Sequence, residues 1–188
     1  MRTRYAAVSL AFAALALNQG SSQEAVRPEV FQTLVDPDGS IRKPANFREN
    51  YVHLGAFMVH DPKGDEFHHT YASPGTAEAY RRTGKFPDGS VLVKEVTNST
   101  HTSLTTGDAH WATDVKVWFV MIKDEKGRYP GNSLWGEGWG WALFDSKSPD
   151  EQIATDFRIS CLGCHVPAQK TDWVYIQGYP LLRETLAE

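Results

Sequence analysis

The chain has 188 residues, 41% of them apolar, with a formal net charge of −4 and a pI near 6.0. That length suits one domain around one hydrophobic core. The mild acidity excludes the basic footprint of a protein that binds nucleic acid or an anionic membrane surface.

The first element in chain order is an export signal. Arg2 and Arg4 precede an apolar run from Ala6 to Leu17, and the small residues Gly20, Ser21 and Ser22 follow. The run is too short to span a bilayer and has the flanks of a secretory signal peptide. Residues 1–22 therefore read as a signal peptide and residues 23–188 as the mature domain, exported to a periplasm. No later segment approaches a membrane span.

Residues 23–46, rich in Pro, Asp, Gly and Arg, read as extended and loosely ordered. Tyr51 to His60 is an apolar run bounded by Asn50 and Asp61-Pro62, which suits a buried strand. Ser73-Pro74 carries the signals of a helix start, with Ser73 as N-cap, and Gly84 marks its end after Arg81 and Arg82. Asp88-Gly89 is a turn and Ser90 to Thr97 a strand. A polar loop is expected through His101 and His110. Asp114 to Lys123 is the strongest strand pattern in the chain. Trp135 to Phe144 alternates glycine with large aromatics, as in a twisted strand packed closely on another surface. Ser148 with Glu151 forms a capping box, predicting a short helix toward Arg158. Trp173 to Gln177 suits a last short strand. The sum is a β-dominated α+β domain: one antiparallel sheet with a few short helices at its edges.

The chemistry concentrates in Ser160 to Gln169, S-C-L-G-C-H-V-P-A-Q, which holds both cysteines of the chain, Cys161 and Cys164. A structural zinc site needs about four ligands, and these residues with His165 offer three. A thioredoxin-like redox pair follows a βαβ pattern that is absent here. A disulfide across two residues would staple very little chain. A c-type haem anchor needs only what is present: two thiols for the vinyl groups, and His165 as the proximal iron ligand. Export supplies the compartment in which that attachment is made.

An electron carrier adds a Met or a second His on the far side of the iron. Met58 and Met121 lie in strand patterns and read as core. His68, His69 and His101 lie in polar, loop-like segments, and no spacing marks them as ligands. An open distal position is thus permitted. In Val91 to Val96, alternation puts Leu92, Lys94 and Val96 on one face of a strand. By strand pattern alone, Lys94 is an edge-guarding or snorkelling lysine.

Four segments in order carry a more specific signal: Gly84 to Glu95 (G-K-F-P-D-G-S-V-L-V-K-E), Trp135 to Phe144, Cys161 to His165, and Asp172 to Pro180 (D-W-V-Y-I-Q-G-Y-P). Together they resemble the cytochrome P-460 family, over most of the chain from about Asn46 onward. The resemblance implies a mainly β, usually homodimeric protein with five-coordinate haem c. One branch oxidises hydroxylamine and carries a lysine cross-linked to the macrocycle, a role that falls on Lys94. The other branch, cytochrome c′-beta, binds NO or CO without that cross-link. In the oxidising members a carboxylate five residues before the first haem cysteine assists proton removal, and the count places Asp156 there. Arg158 is a candidate beside the distal site or on a haem propionate. Phe57 and Phe67 are candidate distal aromatics.

The resemblance thus implies an exported mono-haem oxidase of hydroxylamine, with nitrogen oxides as product and a soluble cytochrome as electron acceptor. A gas-binding protein and a simple electron carrier are the two competing expectations.

Overall fold

The computed structural model describes residues 29–183, so the expected signal peptide lies outside the described residues. Seven strands form one antiparallel sheet: β1 (Val52–Val59), β2 (Glu66–Ala72), β3 (Val91–Leu104), β4 (Gly107–Lys123), β5 (Trp135–Gly136), β6 (Trp139–Asp145) and β7 (Ser148–Gln152). Their order across the sheet is β1-β2-β3-β4-β6-β5, with β7 beside β6. Every neighbouring pair is antiparallel. The helices are short: α1 (Glu29–Thr33), α2 (Phe47–Asn50) and α3 (Thr76–Thr83), then a π-helical turn at Arg158–Leu162, α4 (Gly163–His165) and 3-10 turns at Val166–Thr171 and Pro180–Leu182. The α+β, β-dominated architecture is the one expected from the strand patterns.

Directly paired residues share a sheet face, so the register assigns each face. Lys94 pairs with Thr70 on β2 and Phe119 on β4; Leu92 pairs with Ala72 and Met121, and Met121 with Trp141. This face packs on α3 and the C-terminal segment in a cluster that includes Leu54, Phe86, Trp139, Phe157, Cys161, Trp173 and Tyr179. The opposite face carries Val91, Val93, Val120, Ile122 and Phe144 and is covered by Val30, Val35, Ile41 and Phe47. The sheet is therefore covered on both sides along the first half of β3, which explains the near-continuous apolar run at Val91 to Val96.

Several local expectations are corrected. Residues 29–45 are more ordered than their composition suggested, with α1 and an antiparallel bridge between Val35 and Ile41. The loop expected through His101 and His110 is the far end of a long β3–β4 hairpin, in which His101 pairs with His110. Its Ser, Thr and His side chains are polar because that part of the hairpin is solvated. His68 and His69 lie in β2 for the same reason, as polar residues in a half-buried strand. Trp135 to Phe144 is two strands, joined by Glu137 (φ 57°) and Gly138 (φ 78°), the two left-handed residues of a tight hairpin turn. Met121 is core, but Met58 is 36% exposed.

α3 begins at Thr76, because Ser73 is used elsewhere. Its hydroxyl accepts the Val91 N–H at 3.1 Å and shares a 2.9 Å bond with Thr76 Oγ1. Gly84 (φ 70°) ends the helix as expected. The capping-box segment is strand β7, where Pro149 sits on an edge that needs no donor. The helix follows it instead and runs through the cysteine motif. Trp173 to Gln177 is irregular, because Asp172 and Trp173 are left-handed, at φ 59° and 69°.

The glycines of β5 and β6 let aromatic rings lie on bare backbone. A Cβ at Gly136 would stand 2.3 Å from the Phe157 ring, and one at Gly140 2.6 Å from Trp135. Gly136→Ala is expected to overpack the contact that seats the helix, costing about 1–3 kcal/mol. A lowered midpoint in chemical denaturation with an unchanged slope is the result that checks it.

Candidate functional site

The site is built from the centre of the sheet and the helical segment that crosses it. Phe157 anchors that segment: its N–H donates to the Ser133 carbonyl at 2.9 Å, and its ring stacks on Trp141 at 5.9 Å and 10°. From there the helix tightens from a π turn through α4 to a 3-10 turn, a local irregularity typical of functional sites. It brings Cys161 and Cys164 onto one helical turn, the first buried and the second exposed. Both thiols are free.

His165 is held in one tautomer. Its Nδ1 lies 2.6 Å from the Trp173 carbonyl. A carbonyl only accepts, so Nδ1 carries the proton and the Nε2 lone pair is left free. The ring also stands edge-on to Trp141 at 5.0 Å and 76°. Iron-binding histidines are oriented in this way, with the second ring nitrogen donating to a carbonyl.

Lys94 faces the same space from β3. Its Nζ lies 4.3 Å above the Phe119 ring, a cation–π contact. Burial pushes its pKa below the ordinary lysine value, against opposing pulls from Cys164, Cys161 and Glu66. Burial pushes the Cys161 thiol up to about 11, and the nearby Lys94 charge opposes that shift. Burial likewise lowers His165, helped by Lys94. Leu92 and Met121, on the Lys94 face, pack in one cluster with Cys161, and these mutual effects run across that packing.

A family model for cytochrome P460 matches residues 44–176. The chain belongs to the cytochrome P460 family. A haem-type cofactor follows from that membership, and the donor set fits one: two free thiols on one helical turn, beside an imidazole whose free nitrogen is fixed by hydrogen bonding. Comparison with curated proteins finds no match.

The other sequence candidates divide. Phe57 is on the Lys94 face, edge-on to Tyr179 at 5.3 Å and 76°. Phe67 is on the opposite face, stacked on His69 at 5.9 Å. One residue along a strand reverses the face. Asp156 accepts the Arg158 backbone N–H at 2.8 Å and its guanidinium at 3.4 Å. That is the position of a helix-capping carboxylate. The Asp156 side chain is 30% exposed and that of Arg158 61%.

Sequence reasoning missed His68. It lies on the Lys94 face, paired with Phe57 on β1 and Val96 on β3. Its Nε2 is 3.0 Å from Glu66 Oε2, and the other Glu66 oxygen is held by Lys116. Burial lowers the His68 pKa, Glu66 opposes this, and Lys94 reinforces it. The alternation Glu66, His68, Thr70 was the available signal. It was obscured because three of the seven residues of β2 are charged or imidazole.

Proposed function

We propose that this cytochrome P460 holds haem c through thioethers to Cys161 and Cys164, with His165 as proximal ligand and Lys94 cross-linked to the macrocycle. It oxidises hydroxylamine to nitrogen oxides, in the periplasm, and passes electrons to a soluble cytochrome; like its relatives it works as a homodimer. The observation that carries this reading is the position of Lys94 on a central strand, on the sheet face whose Leu92 and Met121 pack in one cluster with Cys161. An edge-guarding lysine sits on an outer strand, whereas this one is on a central strand, half-buried over Phe119.

Bound haem supplies the Lewis acid and electron sink. The chain supplies the rest. The Trp173 carbonyl holds the Nδ1 proton of His165 and raises the basicity of Nε2. Phe57, Phe119 and Met121 keep that sheet face apolar and exclude water. Protons leave toward a base beside the substrate. Asp156 is the base expected from the family, with Arg158 as its partner. His68 is a second acceptor: burial favours its neutral form, and Glu66 stands ready to stabilise the charge it gains.

The gas-binding alternative has one observation in its favour. The Lys94 ammonium already has a partner in the Phe119 ring, so the amine has a resting place without a cross-link.

Rates of hydroxylamine oxidation separate the bases. Asp156→Asn and His68→Gln are compared with the parent chain, with haem content and the ferrous spectrum as controls. Loss of the working base is expected to slow turnover by roughly 10²–10⁴ while leaving the spectrum unchanged. Full turnover in both variants, or no turnover in the parent chain, overturns the oxidase mechanism. A low-spin six-coordinate spectrum rules out an open site in either form.

A further inference from the structure

We propose that the far end of the β3–β4 hairpin binds a zinc-class divalent cation through His101, Asp108 and His110. The inference does not depend on the haem reading. His101 and His110 are a directly opposed cross-strand pair, so their side chains leave the same face of the ribbon. Asp108 lies two residues before His110 on the same strand and therefore shares that face. The three side chains converge as these positions dictate: His101 Nδ1 is 3.2 Å from Asp108 Oδ1, and His110 Nε2 is 3.5 Å from Asp108 Oδ2. One ligand atom from each residue lies within 4.8 Å of the others.

The spacing suits zinc. Zinc–nitrogen and zinc–oxygen bonds of about 2.0–2.1 Å at tetrahedral angles put neighbouring donors about 3.3 Å apart. Each imidazole nitrogen already lies near that distance from an Asp108 oxygen, His101 Nδ1 from Oδ1 and His110 Nε2 from Oδ2. The imidazoles are stacked, with centroids 4.7 Å apart and planes at 12°, so small rotations about the side-chain torsions bring both nitrogens to one ion. The His110 Nδ1 is buried without a hydrogen-bond partner among the described residues. Its Nε2 edge is therefore the one presented to Asp108 and to an ion.

Two imidazoles and one carboxylate suit a borderline first-row cation better than calcium or magnesium, which prefer oxygen-only shells. Three protein ligands leave a fourth position for water, as in open zinc sites. Asp108 is 56% exposed on its side chain and His101 62%, so the ion has a direct path from solvent.

A second His–Asp contact provides an internal control. His60 Nδ1 lies 3.0 Å from Asp65, and among the described residues neither belongs to a group of three ligand donors. Zinc chloride is titrated calorimetrically into the tag-free, haem-loaded chain, and into His101→Ala, Asp108→Asn and His60→Ala. One equivalent is expected to bind the parent chain and His60→Ala alike. Affinity is expected to fall about tenfold or more in the two hairpin variants. The ferrous haem spectrum and the far-ultraviolet circular dichroism should be unchanged in all four proteins. No zinc binding by the parent chain overturns the proposal. So does equal binding by His101→Ala, or an equal loss in His60→Ala.

Discussion

Lys94→Ala is expected to return the ferrous absorption spectrum to that of an ordinary c-type haem and to remove hydroxylamine oxidation. The reason begins with the sheet. β3 is central, flanked by β2 and β4, so Lys94 has no edge to guard. Burial lowers its pKa, which makes the neutral amine available at lower pH than for a solvated lysine. A neutral amine has a lone pair to form a bond, and an ammonium does not. A bond from Nζ to a ring carbon replaces one N–H and one C–H. Two hydrogens and two electrons must then leave, to an oxidant such as a peroxide. Intact mass therefore provides a second readout: the parent chain should weigh two hydrogens less than the sum of thioether-bound haem and apoprotein, and Lys94→Ala should match its sum. Lys94→Arg tests whether charge alone suffices, since arginine keeps the cation over Phe119 but stays protonated. An unchanged spectrum in Lys94→Ala, with a parent mass that already equals the sum of thioether-bound haem and apoprotein, would sink the cross-link and leave the gas-binding form of the site.

What made this position hard to read from sequence is physical. Alternation correctly put Leu92, Lys94 and Val96 on one face, and the register bears that out. Alternation cannot say whether a strand is central or at an edge, because strand order is a property of long-range pairing. The assignment of Lys94 to the haem came from family resemblance alone. The thiols and His165 were readable locally, because spacing within one helical turn fixes their geometry. The Trp173 carbonyl that orients His165 was not, since it depends on a left-handed backbone at Asp172 and Trp173. The same limit explains β7: Ser148 and Glu151 satisfy a capping box, yet β6 offers an unpaired edge nearby, and tertiary pairing overrides the local signal. His68 and Glu66 illustrate the converse error. Polar residues in a strand were read as loop because β2 is only half-buried and so needs little apolar cover.

Asp172→Ala is expected to lower stability by about 3–5 kcal/mol, the cost of stranding a buried charge. Asp172 lies at the junction between the sheet and the helix that carries the cysteines. Its Oδ1 accepts from Lys123 Nζ at 2.7 Å and its Oδ2 from the Phe86 N–H at 2.9 Å. Its carbonyl accepts the Trp139 indole N–H at 3.2 Å. The Lys123 and Asp172 side chains are 8% and 5% exposed, so solvent does little to screen the pair. Removing the carboxylate leaves the Lys123 ammonium buried against Trp139 with its main partner gone. Alanine also tolerates the left-handed backbone at Asp172 poorly, so Asp172→Asn separates the two costs by keeping the conformation and losing the charge. If the ion pair dominates, Asp172→Asn should lose most of the same stability in urea denaturation. Adding Lys123→Met should then restore part of it, because the stranded charge is gone. The consequence reaches the haem site through one residue. Asp172 sets the entry of Trp173, and the Trp173 carbonyl holds the Nδ1 proton of His165. If His165 is the proximal ligand as proposed, a loosened carbonyl pulls less on that proton, weakens the imidazole as a donor, and should raise the iron reduction potential. A variant that unfolds at the parent midpoint with the parent potential would show that the pair is neither a stability element nor a support of His165.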